Sequence, residues 1–182
     1  DARLPLVVAR RDPAVDGDQL RLGVPLPPSE GRLRLALRVV PSYVEQHREP
    51  LFLAEVIAAV SAPGRAPLQA LQASCRTLPT SPRVFGSFAW QALTGLPYVH
   101  TGSDLDLLWH IDDLHQASMI CQTLQHWEQQ HGMRADGELR LPAGHAVNWR
   151  EYASDARELL VKGEQGCWLS PRHELLHSRS AA

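Results

Sequence analysis

Between Val84 and Trp109 the order of apolar, glycine and acidic residues leaves the chain few ways to fold. Val84-Phe85 reads as an apolar strand running into a Gly86-Ser87 turn, Phe88 to Leu93 as a short helix, and Thr94-Gly95-Leu96-Pro97 as its break. A second strand follows, Asp104-Leu105-Asp106-Leu107-Leu108-Trp109. Successive strand side chains point to opposite faces, so Asp104 and Asp106 share one face while Leu105, Leu107 and Trp109 share the other. A sheet that holds this strand has one face against a core and one open to polar chemistry.

Two carboxylates roughly 7 Å apart along a strand repel by about 2 kcal/mol at an effective dielectric of about 20. A divalent cation reverses that sign. Hard oxygen ligands suit magnesium, which keeps several waters and takes further oxygens from substrate phosphates. The Gly86-Ser87 turn supplies the complement, because free N–H groups at the start of the next helix bind phosphate. Each half has a plain alternative, since Gly-Ser is common in turns and Asp-x-Asp is common on solvated strand edges. Together and in order they predict metal and phosphate sites side by side.

A hydrophobic residue, Gly-Ser, a spacer and Asp-apolar-Asp resemble the nucleotidyltransferase superfamily, whose shared reaction is attack of a hydroxyl on an α-phosphorus with loss of pyrophosphate. The fuller wording is more specific. Gly-Ser-Phe-Ala-Trp-Gln-Ala-Leu-Thr-Gly-Leu-Pro-Tyr at 86–98 and Ser-Asp-Leu-Asp-Leu-Leu-Trp at 103–109 are similar to the malonate decarboxylase holo-acyl-carrier-protein synthases, also called phosphoribosyl-dephospho-coenzyme A transferases. Asp136-Gly137-Glu138, Val147-Asn148-Trp149-Arg150-Glu151 and Leu160-Val161-Lys162 extend the match. The resemblance covers the C-terminal part of the chain well and thins out before residue 60.

The resemblance implies a magnesium-dependent transferase that moves phosphoribosyl-dephospho-coenzyme A from its triphosphate precursor to a serine of the apo acyl-carrier protein of malonate decarboxylase, with pyrophosphate as leaving group. Asp104 and Asp106 would hold the metal. A third acid is expected on the next strand, where Met133, Ala135, Gly137, Leu139 and Leu141 form one face and Asp136 and Glu138 the other. Glu138 is preferred because it is flanked inside the strand, with Asp136 the alternative. Gly86 and Ser87 would bind phosphates, as would Arg150 by a bidentate fork and Lys162 as a point charge.

Charge sets the class of partner. Lys+Arg 18 against Asp+Glu 20 leaves a net charge of −2, which gives no electrostatic reason to expect nucleic acid. No apolar run approaches a membrane span and no signal peptide opens the chain. Cys75, Cys121 and Cys167 are odd in number and lack Cys-x-x-Cys spacing, which argues against a disulfide framework or structural zinc. A cytoplasmic protein with reduced thiols is expected.

The fold class expected is α+β, a nucleotidyltransferase-like mixed sheet over residues 63–182 preceded by a hairpin-plus-helix domain over residues 1–62. Leu20 to Leu26 and Leu33 to Val39 alternate around Pro27-Pro28-Ser29-Glu30-Gly31 and predict a hairpin whose outer face carries Arg21, Arg32, Arg34 and Arg38. Those arginines are either a solvated face or, given the implied acidic carrier, a docking patch. Pro50 to Val60 predicts a helix with Pro50 in its first turn, and Ala62-Pro63-Gly64-Arg65-Ala66-Pro67 a domain break, after which Pro67 starts a helix through Leu68, Leu71 and Cys75. Leu114, Ala117, Cys121, Leu124 and Trp127 form the apolar stripe of a helix ending near Gly132. Val147 to Tyr152 and Glu158 to Lys162 read as strands, the latter turning through Gly163-Glu164-Gln165-Gly166 into Cys167-Trp168-Leu169.

One competing motif lies near the C-terminus. His173-Glu174-Leu175-Leu176-His177 matches the zinc-peptidase pattern, in which two histidines one helical turn apart share a zinc and the glutamate is the base. A third protein ligand is wanted and only Ser178 to Ala182 follow, so chance is the better account of it. Two further readings fit the acids and the Gly-Ser turn: a nucleotidyltransferase acting on a small molecule or nucleic acid, and a phosphate-binding module without catalysis.

Overall fold

In the computed structural model residues 4–176 are described, apart from 11, 32, 155 and 165. Arg32 of the hairpin face, Gln165 of the last turn, and His177 with Ser178 to Ala182 lie outside the described residues. The alternating segments near the N-terminus build a three-stranded sheet in the order β1 (Val7–Val8), β2 (Leu20–Pro25), β3 (Arg34–Val39). β2 and β3 are the expected hairpin, with Leu22 opposite Leu37 and Pro25 opposite Arg34, and Gly31 closes the connecting 3-10 turn at φ 83.

This small sheet is locked by a buried acid. Asp16 ends the single-turn helix α1 (Pro13–Asp16), and its carboxylate has no exposed area. Its Oδ1 accepts from Arg21 Nη2 at 2.8 Å and Arg38 Nε at 2.9 Å, while Oδ2 accepts from the Asp12 N–H at 2.7 Å. Arg21 and Arg38, expected as outward cations, are therefore committed to Asp16. Chief among the causes, the Arg21 hydrogen bond holds the Asp16 carboxyl down at about 2.

The larger sheet has seven strands in the order β10-β9-β8-β7-β6-β5-β4. They are β4 (Leu51–Phe52), β5 (Arg83–Phe85), β6 (Leu105–His110), β7 (Ala135–Arg140), β8 (Ala146–Asn148), β9 (Glu158–Lys162) and β10 (Cys167–Pro171). β6 and β7 pair parallel and the other neighbours antiparallel. A parallel pair needs a crossover. Helix α5 (Leu114–His131) provides it, capped by the Asp113 carboxylate at its start and ended by Gly132 at φ 63.

Helices α2 (Leu53–Ala59), α3 (Ala62–Ser74), α4 (Gly86–Thr94) and α5 contribute to one core with the sheet. Val56, Leu68, Leu71, Ile120, Leu124 and Trp127 are buried in the same cluster as Leu105, Leu107 and Trp109. The acids are consequently left on the face away from that core.

Three expectations are corrected here. Leu51 and Phe52 pair with Val84 and Arg83, so the helix starts at Leu53 instead of Pro50, and the Glu55 carboxylate accepts the Phe52 N–H at 2.8 Å. Residues 62–67 are not a break: α3 runs through them with one proline in its first turn, where no N–H is needed, and Pro67 inside. Burial of Leu68 and Leu71 and the bond from Trp127 Nε1 to the Pro67 carbonyl at 2.7 Å hold it there. Since β4 and α2 belong to the larger sheet and its core, the change from one sheet to the other falls between Val39 and Leu51, ahead of the boundary expected at residue 62. Finally, of the strand expected from Val147 to Tyr152 only Val147 and Asn148 are extended, within β8. The Asn148 Oδ1 accepts the N–H groups of Arg150 and Glu151 and starts α6 (Trp149–Ala153).

Among the described residues no helix is long and apolar enough to cross a membrane. Cys75 and Cys121 are buried and their thiols are pushed up to about 12 by burial, whereas Cys167 is exposed.

Because the folded-state value for Asp16 lies below its ordinary 3.8, its contribution to stability is complete above about pH 4 and is lost as pH falls toward about 2. Urea melts of the wild type should therefore show a falling midpoint across that window. Asp16→Asn should flatten this part of the profile and lower the midpoint at neutral pH, because Arg21 and Arg38 lose their shared partner.

Candidate active site

The site begins at a close approach. Gly86 has φ +66, and a Cβ placed there would lie 1.8 Å from Asp106 Oδ2. Only glycine lets the start of α4 come this near the carboxylate, which fixes the first residue of the Gly-Ser pair by geometry. No side chain caps α4, whose N-cap residue is the extended Phe85. The first-turn N–H groups around Ser87 are thus available to an anion beside the acids.

Asp106 is half-buried on β6 with Leu105, Leu107 and Trp109 on the opposite face, as alternation requires. Asp104 stands just before the strand, and its Oδ2 lies 3.3 Å from Arg134 Nε in a largely exposed ion pair. The parallel register places Asp136 directly beside Asp106 and Glu138 beside Leu108. Adjacent strands are about 4.8 Å apart, so Asp106 and Asp136 are lateral neighbours on one face. That register requires Gly137, with φ +139, because a Cβ there would meet the Leu107 carbonyl oxygen at 1.8 Å.

Glu138, preferred in sequence as the third acid, is drawn away from the pair. Its Oε1 takes Lys162 Nζ at 2.6 Å, one rung further along the sheet. Asp136 instead accepts from its neighbour Gly137 N–H at 2.8 Å and from Asn148 Nδ2 at 3.0 Å, both at Oδ1. Of the two, Asp136, the alternative in sequence, is the one the register sets beside Asp106. Sequence reasoning misses Asn148, although Asn-x-x-Glu at 148–151 is a helix-start signature. The same amide that caps α6 with its oxygen orients Asp136 with its nitrogen.

The two expected phosphate cations also separate. Lys162 is on the acid-bearing face but paired with Glu138. Arg150 is elsewhere: its Nη2 donates to the Glu128 carboxylate and to the Ala135 carbonyl, and its guanidinium lies over Trp149 at 4.5 Å. It braces α5, α6 and the start of β7 and is not brought to the acids.

Burial first, then Asp136, then Asp104, push the Asp106 carboxyl up to about 6; Arg34 pulls against them. A hard divalent cation fits this donor chemistry, since it would offset the repulsion within a row of carboxylates. Among the described residues no group of three His, Cys, Asp or Glu side chains is placed to hold a metal ion. Magnesium commonly needs only one or two protein carboxylates, the rest being water and phosphate.

The N-terminal sheet reaches this region. Tyr98 Oη donates to the Pro25 carbonyl at 2.9 Å, Trp90 packs edge-on against Tyr98 at 5.6 Å, and the Arg34 guanidinium lies 5.8 Å over Trp90. The zinc-peptidase alternative is not supported by local structure: His173 and Glu174 occupy a 3-10 turn, Arg172–Glu174, with both side chains well exposed. A cleft of about 330 Å³ between α2 and the end of α3, lined by Leu53, Gln72, Cys75 and Arg76, contains none of the acids.

Comparison with known proteins gives matches along the whole chain. Residues 1–50 match the family description "Phosphoribosyl-dephospho-CoA transferase MdcG N-terminal domain" and residues 52–173 its C-terminal domain, a division that falls where the sheets change. A phosphoribosyl-dephospho-CoA transferase of Xanthomonas axonopodis pv. citri is 54% identical over 181 residues, covering 100% of this chain and 85% of the relative. One from Bradyrhizobium diazoefficiens is 36% identical over 169 residues, covering 93% of this chain and 75% of the relative. No solved structure gives a significant match.

The raised carboxyl of Asp106 makes a stability prediction with a definite sign. Between about pH 4 and about 6 the folded chain holds a proton there that the unfolded chain has released, so this residue's contribution declines as pH rises and is unfavourable above 6. Asp106→Asn should therefore raise the urea midpoint at pH 7.5 in chelator, with the gain vanishing near pH 4. A second expectation concerns Asn148→Ala, which should cost about 1 kcal/mol in the same melts through the lost cap.

Proposed function

The chain belongs to the phosphoribosyl-dephospho-CoA transferase family, and from that premise we propose that it transfers phosphoribosyl-dephospho-coenzyme A from the triphosphate precursor to a serine of the apo acyl-carrier protein of malonate decarboxylase, releasing pyrophosphate. The observation that carries this reading is the lateral pairing of Asp106 and Asp136 beside the uncapped start of α4. Acids and anion-binding amides meet on one open sheet face, as attack on a phosphate requires.

In the reaction the acceptor serine Oγ forms a bond to the α-phosphorus. The bond from that phosphorus to the oxygen bridging to the β-phosphate breaks, and pyrophosphate departs with the electron pair. The serine proton goes to a carboxylate. Asp136 is suited to take it at Oδ2, because Oδ1 already accepts from Gly137 and Asn148. The N–H groups of the α4 first turn and the Ser87 hydroxyl hold the leaving phosphates, with the helix dipole favouring their charge. Asp104 and Asp106 are the residues that would hold magnesium, leaving Asp136 Oδ2 for the proton. Bound there, the ion would neutralise charge on the phosphates and lower the pKa of the incoming hydroxyl. Glu138 and Lys162, paired with each other, lie on the flank of the site.

The test incubates the protein with apo carrier protein, triphosphoribosyl-dephospho-coenzyme A and magnesium, and follows the carrier by intact mass. The wild type should add the mass of the prosthetic group. Asp106→Asn and Asp136→Asn should lower the rate by about 100-fold or more, and Glu138→Gln by much less. Equal losses from Glu138→Gln and Asp136→Asn would overturn the assignment of Asp136 as the proton acceptor, and no mass gain with folded wild type would overturn the carrier reaction.

A further inference from the structure

We propose that Arg34, carried on the N-terminal sheet, is a phosphate-binding residue of the active site and grips the diphosphate end of the donor that leaves. The inference rests on the transferase reading above and adds to it a residue from outside the sheet that bears the acids.

Three arginines on this hairpin can be compared directly. Arg21 and Arg38 are spent on Asp16. Arg34 is exposed, and among the described residues no carboxylate pairs with it. Instead its guanidinium lies over the Trp90 ring. Its stem runs across Gly23, where a Cβ would stand 3.4 Å from the Arg34 Cδ. A guanidinium held by an indole face keeps its N–H edge free for a bidentate anion.

The place where Arg34 is held matters as much as its freedom. Trp90 is four residues beyond Gly86 on α4, so it shares that residue's face of the helix, and helical side chains lean toward the N-terminal turn. Arg34 therefore stands over the side of α4 that carries Gly86, the residue packed against Asp106. The position is also built from both sides: Arg34 sits opposite Pro25 in the hairpin, the Pro25 carbonyl is the acceptor of the buried Tyr98 hydroxyl, and Tyr98 packs against Trp90. The four residues form a closed circuit that fixes the N-terminal sheet against α4 and presents one unpaired cation beside the uncapped helix start. A leaving pyrophosphate is the anion that this combination fits, since it needs both backbone N–H donors and a planar fork.

The probe is inorganic pyrophosphate in magnesium buffer, titrated calorimetrically into the full chain. Arg34→Gln should weaken binding by about tenfold or more, and Arg34→Lys should fall between the two. Arg76→Gln, a cation at the distant α3 cleft, should leave affinity unchanged. Tyr98→Phe, which keeps every charge but removes the bond to Pro25, should also weaken binding. Wild-type affinity in a folded Arg34→Gln chain, an equal loss in Arg76→Gln, or no pyrophosphate binding by the wild type would each overturn the proposal. If Arg34→Gln unfolds, Arg34→Lys decides the matter: affinity equal to wild type in both it and Tyr98→Phe would overturn the proposal. The titration needs no acceptor. Failed carrier labelling with Arg34-dependent pyrophosphate binding removes the carrier and retains Arg34, while normal labelling with Arg34-independent binding does the reverse.

Discussion

The parallel pairing of β6 with β7 is the constraint from which the site follows. Within the larger sheet each other described neighbour is antiparallel, and the parallel pair alone sets Asp106 and Asp136 side by side. It is tight enough that Gly137 can carry no side chain against Leu107. The crossover demanded by parallel strands puts α5 on the core face, which leaves the acid-bearing face open to polar chemistry. Two carboxylates side by side on that face repel, and burial together with that repulsion raises Asp106; the chain maintains the pair through burial of Leu105, Leu107 and Trp109 behind it.

Much of this was legible in the sequence, because period-two alternation is a local property. Asp104-x-Asp106 and Asp136-x-Glu138 declare their faces without any knowledge of partners. The hairpin between Leu20 and Val39 and the stripe on α5 are equally local. What alternation cannot state is register, so it could not choose between Asp136 and Glu138. One rung of a parallel ladder makes the difference. Cations are less legible still. Arg150 and Arg34 look alike in sequence, and only the tertiary structure engages one with Glu128 and Ala135 and leaves the other above Trp90. The prolines at 63 and 67 mislead for a related reason. Propensity says break, but two fully buried leucines and the Trp127 indole hold α3 in place.

The motif between Gly86 and Tyr98 has two uses. Its first residues shape the start of α4 against Asp106, and its later ones, Trp90 and Tyr98, receive the N-terminal sheet. A resemblance concentrated in this stretch therefore encodes the junction between the sheets as well as the chemistry. Asn148 shows the same economy, since one side-chain amide both starts α6 and holds Asp136.

The length of α5 bears on the order in which the molecule is assembled. Asp106 and Asp136 lie on either side of the 18-residue helix, so no local hairpin can bring them together. Closing such a loop costs entropy before any contact across it is made, and parallel pairings form slowly for that reason. During synthesis β5 and β6 can pair early, whereas Asp136 arrives only after the whole crossover has emerged and docked. The repulsion between the two acids is thus deferred until the core that tolerates it is already in place, and a chain interrupted before β7 carries Asp106 with no lateral acid beside it.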